Sequence, residues 1–515
     1  MNLRTLILLV GFSLPAGMAF AQYTEDALRF SQTEQGATAR FKALGNAQTA
    51  LGGDLSSLSG NPAGLGLFTR SEFSFTPEFT NTESNSVYIN SPSSIQKDKA
   101  GINQFGIVFN APQRKLAGQD TKKGLLSINF GISYNKTNNH NFVVGYGAQN
   151  PKSSFADYIA SLADNYIGNG DPGAANNADA LPSGSLERMG FKNYLIEYDP
   201  DGYFAATELN NTQRNTTFYS GSQGETNLGF GANFSNEFYI GGSVGFASLN
   251  FTADRTFTES GNNRTFNGQD PNFTGGKYKL DYTSGQETKG SGINLKLGFI
   301  YRPAKQVRLG FSFVSPTWYT ITDTYSEGLN TSYTRSNGTS ILPAYTNKGE
   351  VYDTDYSLRT PYKLNGGLAF IIGNYGLITG DVEYVDYSSI NFSSSDYDLD
   401  RKTNRDIRDL YQGAVNFKLG GELKLSPVTL RAGLMTSGNP YQNAESSLDT
   451  YTAGIGYRVN NFYIDLTYAN SVSKYSTKPY LIQDTYADYK FTGPGEAASI
   501  KSTRNNVYAT IGLRF

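Results

Sequence analysis

The chain has 515 residues, a formal net charge of −2, no cysteine, and a single histidine and a single tryptophan. The lack of cysteine excludes disulfides, a thiolate nucleophile, cysteine-bound zinc and iron–sulfur clusters. A near-neutral balance with 17% charged residues offers no basic stripe, so nucleic acid is a poor candidate partner. A hydrophobic fraction of 38% is low for a helical membrane protein, whereas 14% aromatic residues and 56 glycines favour β-structure with many turns.

The N-terminus has the three parts of a secretory signal peptide. Arg4 supplies a positive charge, residues 6–14 form a short apolar core, and Ala19-Phe20-Ala21 is a cleavage site of the A-x-A type. A retained membrane anchor is disfavoured because the apolar run is shorter than the roughly 20 residues that a spanning helix needs. We predict a signal peptide at 1–21, export, and a mature chain that begins at Gln22.

Residues 22–66 lack the regular alternation of the chain that follows. They are rich in alanine, glycine, glutamine and serine, and they precede the first predicted strand. If the strands close into a barrel, this stretch begins on the periplasmic side and is placed to enter the lumen as a plug. We predict a separate N-terminal hatch at 22–66, followed by a barrel at 67–515.

From about residue 68 onward, apolar and polar residues alternate with a period of two, which predicts β-strands. The same division recurs near 126–134 and 462–468. Alternation alone does not separate a soluble sandwich from a transmembrane barrel, since both have one apolar face per strand. The last segment shows the pattern most clearly, with one face formed by Val507, Ala509, Ile511, Leu513 and Phe515.

The lengths of the connections separate the two folds. Tight turns alternate with much longer connections, as in outer-membrane barrels, whose periplasmic turns are short and whose external loops are long. The turns are at 235–237, 303–306, 373–375, 426–427 and 459–461. We predict an all-β outer-membrane barrel of about 14 antiparallel strands, embedded in the outer-membrane lipids of a Gram-negative bacterium. The predicted strands are 68–80, 102–111, 124–136, 224–235, 237–257, 277–302, 306–320, 354–373, 375–393, 409–425, 427–437, 449–459, 461–474 and 504–515.

The longest connection, 149–223, is predicted to be an extracellular insert that contains a helix. Ser154 and Asp157 have the spacing of a capping box, and Gly168 is a helix stop. The apolar face is either a collecting site for a hydrophobic ligand or a surface that packs on neighbouring loops, and both alternatives stay open. Its residues recur at helical spacing and are Phe155, Tyr158, Ile159, Leu162 and Tyr166, of which the first four are the candidate ligand residues.

Several motifs, in their order along the chain, resemble the FadL family of outer-membrane long-chain fatty acid transporters. The N-terminal stretch contains ARFKALGNA (39–47), LGGDLSSL (51–58) and NPAGL (61–65), of which the last resembles the signature of the family's N-terminal hatch. The resemblance extends over nearly the whole mature chain. Its later motifs are LRTPYKL (358–364), GDVEY (380–384), LRAG (430–433), AGIGY (453–457) and DLTY (465–468).

This resemblance implies a channel for passive uptake of hydrophobic small molecules, above all long-chain fatty acids. In the family, a ligand passes from an outer groove to a pocket inside the barrel, and a shift of the hatch releases it sideways through a wall opening at a kinked third strand. The third strand here is 124–136. The resemblance also implies that Asn61, Pro62 and Ala63 seat and gate the hatch, against the alternative of a plain turn. We expect a monomer with no cofactor and no metal.

Strand parity places most charged residues of the predicted barrel on its lumen-facing side. We expect most of them to form ion pairs that fill the bore. One cation is predicted to remain available to a ligand carboxylate, because a guanidinium offers a bidentate fork. The candidates for this cation are Arg359, Lys363 and Arg431, and the other luminal charges are Asp381, Glu383, Lys418, Glu422 and Asp465.

Three other functions fit the sequence less well. A haem receptor needs an iron ligand, and the single histidine, His140, lies in an asparagine-rich stretch where an exposed loop residue is expected. A hydrolase needs a serine activated by a base, and the single histidine, His140, would have to serve alone, so we expect no catalytic residue and no enzyme. A FadL-related barrel that assists the secretion or assembly of exported proteins is the main alternative.

Overall fold

The computed structural model describes residues 19–116, 120–167, 180–199, 202–264, 276–335, 339–442, 446–482 and 496–515. Most of the predicted signal peptide, residues 1–18, lies outside the described residues, and so does the predicted helix stop at Gly168.

Strands dominate the described chain, and antiparallel pairing joins nearly all of them into one sheet. The helices are α1 Ala19–Ser31, α2 Ala39–Lys42, α3 Phe155–Ile167, α4 Leu186–Lys192 and α5 Tyr397–Leu410, with 3₁₀ turns at Leu55–Leu58, Pro62–Leu67 and Tyr387–Ser389. The strands are β1 Glu72–Tyr88, β2 Ser91–Pro112, β3 Leu125–Asn139, β4 Phe142–Asn150, β5 Ile196–Asp199, β6 Gly202–Ala205, β7 Asn211–Phe234, β8 Phe238–Asn262, β9 Lys277–Ala304, β10 Val307–Val314, β11 Trp318–Thr334, β12 Ser340–Arg359, β13 Lys363–Ile372, β14 Gly376–Asp386, β15 Asn391–Ser393, β16 Gly413–Leu425, β17 Val428–Ser437, β18 Ser447–Val459, β19 Phe462–Thr477 and β20 Ala498–Arg514.

The large sheet closes into a barrel because β1 pairs with β2 on one side and with β20 on the other. Closure pairs the first strand with the last, whose edges would otherwise leave costly unpaired backbone groups in the bilayer. We call each line of strand in the barrel wall a stave, whether it is one continuous strand or two strands in succession. Four staves consist of two strands each, namely β3 with β4, β10 with β11, β12 with β13, and β14 with β15. The sheet of 18 strands is therefore a barrel of 14 antiparallel staves, as predicted.

Two neighbouring staves are broken at proline where the sequence predicts continuous strands. Proline has no backbone N–H for the ladder, so Pro316 separates β10 from β11 and Pro361 separates β12 from β13. The broken ends stay joined, since Thr317 N donates to Thr360 Oγ1 over 2.9 Å and Thr360 N donates to Thr317 O over 3.1 Å. The wall therefore stays closed at the two breaks.

The outer face of the barrel carries an apolar band whose upper limit is clear on β9. The outward side chains of Ile293, Leu295, Leu297 and Phe299 are exposed, as expected of residues that contact lipid. The outward positions of β9 from Lys277 to Ser291 are polar or glycine. The apolar band thus ends near Ser291, and β9 continues well beyond it. No helix in the described ranges is long and apolar enough to cross a membrane.

Several strands extend further from the membrane than the sequence predicts. The fourth stave, β7, begins at Asn211 instead of residue 224, which shortens the insert between β4 and β7 to residues 151–210. Outside the bilayer the outer face of a strand meets water instead of lipid, so the alternation that marks a lipid-facing strand can disappear. The first part of β7, residues 211–217, is polar on both faces for this reason.

The N-terminal segment, residues 22–67, fills the barrel lumen. Its first helix, α1, lies at the extracellular end, where the Tyr411 hydroxyl donates to Thr24 O over 2.9 Å. Midway, the Ala39 backbone is held between Thr510 Oγ1 at 2.7 Å and Thr467 Oγ1 at 2.6 Å. Polar side chains of the inner wall thus satisfy backbone groups that secondary structure leaves unpaired.

The described residues of this insert, 151–167, 180–199 and 202–210, form a folded extracellular cap together with the parts of the strands beyond the membrane. The predicted helix is present as α3, and its predicted capping box is formed: Ser154 N donates to Asp157 Oδ2 over 2.8 Å, and Ala156 N donates to Ser154 Oγ over 3.1 Å. Glu259 of β8 also accepts from Phe155 N over 2.9 Å, which places a carboxylate at the positive end of the helix.

Candidate ligand path

Asn61 fixes the last turn of the N-terminal segment before the barrel begins. Its side-chain oxygen caps the 3₁₀ turn Pro62–Leu67 by accepting from Ala63 N at 3.2 Å. Its side-chain nitrogen donates to Thr49 O over 2.7 Å and to Phe299 O of β9 over 3.1 Å. One asparagine therefore ties the turn both to the rest of the segment and to the wall.

Glycines of the wall make room for this turn. A Cβ at Gly241 of β8 would lie 2.4 Å from the carbonyl carbon and oxygen of Pro62, and a Cβ at Gly298 of β9 would lie 1.9 Å from Asn61 Oδ1. A Cβ at Gly231 of β7 would lie 2.6 Å from Gly66 N. These glycines are needed for close backbone approach, and they form a floor on which Asn61 and Pro62 rest.

The ladder between β2 and β3 ends abruptly at the outer part of the barrel wall. These strands pair from Pro112 with Ser127 up to Gln104 with Asn135, and above that point β2 pairs only with β1. The third stave instead continues along β7 and turns inward at residues 140–141. As a result, β4 packs on the luminal face of the hairpin formed by β1 and β2. The wall therefore has a gap between the second and third staves.

Residues 32–37 of the N-terminal segment lie directly behind the gap. Glu34 N donates to Thr137 O of β3 over 2.9 Å, and Asn103 Nδ2, at a bulge in β2, donates to Ala37 O over 2.5 Å. The gap itself is spanned by an ion pair between Lys136 of β3 and Glu78 of β1. These contacts close the passage from the lumen to the wall.

A polar cavity of about 70 Å³ adjoins the gap on the luminal side. A second cavity of about 50 Å³ lies on the other side of the N-terminal segment, beside β9 and the two proline breaks. Glu34 and Thr137 line both cavities, so residues 33–36 are the partition between them. Each is far smaller than the roughly 300 Å³ of a pocket for a small-molecule ligand, so the path is closed in this structure.

The predicted luminal ion pairs are present around β16, β17 and β19. Arg431 Nε lies 2.8 Å from Glu422 Oε2 and its Nη1 lies 2.5 Å from Asp465 Oδ1, all fully buried. Arg40 of α2 joins this cluster at 3.1 Å from Glu422, and Lys418 pairs with Glu383 at 3.3 Å. Arg431 is therefore engaged with two carboxylates of the wall.

The other two predicted cations occupy different surroundings. Lys363 Nζ points into the lumen, donates to Thr33 O over 2.5 Å and to Thr33 Oγ1 over 2.7 Å, and lines the second cavity. Arg359 is exposed on the outer side of β12, beside Trp318, while its neighbour Leu358 points inward. The predicted luminal position of Arg359 is wrong, because the break at Thr360–Tyr362 shifts the parity between Lys363 and Arg359.

Arg504 of β20 is a luminal cation that the sequence analysis missed. It lines the first cavity with Asn506 and Tyr508 of the same strand. Among the described residues, no hydrogen bond or ion pair reaches its guanidinium. The alternation of β20 does place Arg504 inward. Only the contacts of the folded chain show that its guanidinium N–H groups, unlike those of Arg431, have no partner among the described residues.

Four of the five predicted apolar residues of α3 point into the cap, whereas the fifth, Tyr166, is 47% exposed. Phe155, Tyr158 and Ile159 are at most 1% exposed, and Leu162 is also buried. They pack against Phe257 of β8 and Tyr282 of β9, among others. This arrangement matches the packing alternative, and the cap leaves none of these four side chains open to solvent.

His140 lies at the inward turn between β3 and β4 and is buried, so its expected exposure in a loop is wrong. Its ring makes edge contacts with Phe30 of α1 and Phe251 of β8, with centroids 6.1 and 5.4 Å away. Burial, together with the nearby Arg29 and Arg504 charges, lowers the pKa of His140 to about 3. No group of three acidic, histidine or cysteine side chains in the described ranges could hold a metal ion.

Comparison with known proteins places the fold. No protein-family model matches the chain, and no curated protein does so significantly. Among solved structures, a Pseudomonas aeruginosa FadL homologue is 11% identical with a TM-score of 0.51, and a deltaS2 mutant of the monoaromatic hydrocarbon channel TodX is 14% identical with a TM-score of 0.50. Each match covers 93% of this chain and 99% of the other. The Ralstonia pickettii toluene transporter TbuX, 15% identical, has a TM-score of 0.47 with the same coverage. The chain therefore has the fold of the FadL-type barrels.

Proposed function

We propose that this chain is an outer-membrane channel for the passive uptake of hydrophobic small molecules, with long-chain fatty acids as its substrates. The gap between β2 and β3, with a luminal cavity behind it, is the observation that carries the proposal. The barrel shares its fold with a FadL homologue and with a monoaromatic hydrocarbon channel, which agrees with such a role.

A protein path of this kind lowers two barriers. An amphiphile that crosses from outside must pass a polar lipopolysaccharide layer and would otherwise meet an aqueous lumen. Each methylene kept out of water saves roughly 0.8 kcal/mol, so even a partly apolar route favours passage. Exit through the wall delivers the ligand directly into the bilayer, and the concentration gradient sets the direction.

Residues 32–37 are the part of the N-terminal segment that we assign to gating. Their displacement would join the two cavities and uncover the gap, since residues 33–36 now form the partition between them. Asn61, Pro62 and Ala63 would stay on the glycine floor and act as the fixed end of this movement. Two of the predicted ligand residues, Phe155 and Tyr158, stabilise the cap in this scheme.

The proposal is tested by blocking the gap. A Cβ at Gly101 of β2 would lie 2.9 Å from Lys136 Nζ, the end of a flexible side chain that is able to move aside. Gly101→Phe is therefore expected to fold and to fill the gap. Gly366→Phe is the matched control, because nothing lies within 4 Å of a Cβ there.

Uptake of labelled oleate into vesicles that contain the purified protein is the measurement. We expect Gly101→Phe to reduce uptake to the level of protein-free vesicles and Gly366→Phe to leave it unchanged. Wild-type uptake by Gly101→Phe would rule out the lateral route. No uptake by the wild-type protein, together with co-purification of a secreted protein, would replace the channel by the secretion alternative.

A further inference from the structure

We propose that Arg504 binds the anionic head group of the ligand, so that the channel selects amphiphiles with a carboxylate over neutral molecules of the same chain length. This inference rests on the proposed uptake function and adds the residue that would make it specific.

Arg504 is placed where a head group has to pass. On β20 it pairs with Thr82 of β1 and Ser471 of β19, and its side chain lines the cavity behind the gap. Lys136 and Asn138, at the edge of the gap, line the same cavity. A ligand that leaves the lumen through the gap therefore passes the guanidinium.

The charges of this cavity leave one positive charge without a counterion. Its lining contains Lys42, Lys136 and Arg504 against Glu34 and Glu78. Lys42 lies 3.0 Å from Glu34, and Lys136 is paired with Glu78. The remaining cation is Arg504, whose five donors suit a carboxylate oxygen pair better than any neutral group.

The height of Arg504 in the wall fits a ligand whose chain lies in the bilayer. The outward residues of β20 are apolar from Val507 to Leu513, and Arg504 lies three residues above Val507. It is thus at the outer edge of the apolar band, the level of lipid head groups. A carboxylate held there would let the alkyl chain extend through the gap into the apolar layer below.

The size of the cavity agrees with a head-group site. About 70 Å³ is the volume of roughly two water molecules at about 30 Å³ each, enough for a carboxylate but not for a long alkyl chain. Asn506 and Ser471 also line the cavity and offer further donors to a bound oxygen. The chain of the ligand must therefore lie elsewhere, and the adjoining gap is the nearest exit.

Binding of labelled ligands to the purified protein in a neutral detergent tests this site. The ligands are oleate, oleyl alcohol and dodecyl sulfate, so that the negative charge and the carboxylate are varied separately. The variants are Arg504→Gln and Arg504→Lys, with Arg401→Gln as control because Arg401 on α5 is exposed and does not line the cavity. Retention of the folded barrel in unheated gels is checked for each variant.

We expect Arg504→Gln to weaken oleate binding at least tenfold and oleyl alcohol binding less than twofold, with partial recovery in Arg504→Lys. An equal loss of affinity for dodecyl sulfate would show that the site recognises negative charge. An unchanged affinity for dodecyl sulfate would show that the site recognises the carboxylate specifically. Unchanged oleate affinity, or an equal loss for oleyl alcohol, would overturn the assignment of Arg504 while leaving the uptake function standing. Failure of the wild-type protein to bind any of the three would overturn both.

Discussion

The two halves of the lumen are filled in different ways. On the periplasmic side, backbone groups of the N-terminal segment meet polar side chains and glycines of the wall, as when Gln48 N and Thr49 N both donate to Asp381 Oδ2 at 2.8 Å. On the extracellular side, the cap is held by aromatic side chains, with Phe155 stacked on Phe257 at 4.9 Å between ring centroids. Polar bonds can be exchanged for water as a segment moves, whereas a packed aromatic core moves only as a unit. This contrast agrees with the proposed gating, in which residues 32–37 move and the cap is a rigid frame.

The largest effect is expected from breaking the cap. Phe155→Ala removes a fully buried ring from its core and should cost about 4 kcal/mol of local stability. Limited proteolysis should then cut residues 151–210 readily while the barrel stays intact. Tyr166→Ala in the same helix is the control, because Tyr166 is 47% exposed and should cause little change. Equal protease resistance of Phe155→Ala and the wild type would show that the cap does not depend on this core.

A smaller effect is expected at the boundary between the halves, where His140 separates α1 from the wall. The pKa of His140 is about 3 in the folded protein against an ordinary value of 6.5, so the folded state favours the neutral ring. The stabilisation is therefore complete above pH 6.5 and is lost as the pH falls towards 3. Between pH 7 and pH 4 the loss should be about 3 kcal/mol.

This pH effect is measured by comparing His140→Gln with the wild-type protein. Denaturant unfolding in detergent at pH 7 and pH 4 should show a larger acid loss in the wild type, since glutamine does not titrate. Carboxylates elsewhere titrate in both proteins and cancel in the difference. The same acid loss in both would show that His140 is not held neutral by Phe30 and Phe251.

The smallest of these changes addresses the glycine floor of the periplasmic half. Gly241→Ala places a Cβ 2.4 Å from the Pro62 carbonyl, so the turn must shift, at a cost of about 2 kcal/mol. Conductance across planar bilayers should rise because the N-terminal segment no longer seats fully. Gly366→Ala, which meets nothing within 4 Å, should behave as the wild type. Equal conductance of the two variants would remove the floor from the gating scheme.

The sequence predicts the barrel well because lipid contact imposes a period of two, and β20 and β19 are found close to where it places them. The pattern fails where that constraint ends. Above the bilayer, β7 is polar on both faces at 211–217, and its start is missed by 13 residues, from 224 to 211. At the break 360–362, counting by alternation puts Arg359 on the wrong side.

The site is predicted less well because it depends on contacts between distant parts of the chain. Lys136 and Glu78 are 58 residues apart, and nothing local in either strand signals that they span a gap. Arg431 and Arg504 are both inward cations on barrel strands. Only the positions of Glu422 and Asp465 in space show that the first is neutralised, and the sequence offers no comparable sign for the second.

The overlong strands have a consequence for where this molecule meets its surroundings. From Ser291 to Lys277, β9 rises for 15 residues above the apolar band, which is about 50 Å measured along a strand. Because barrel strands are tilted by about 35–45°, this length corresponds to a rise of roughly 35–40 Å, which holds the cap well away from the bilayer surface. A molecule that approaches from outside would therefore meet the cap before it meets the bilayer.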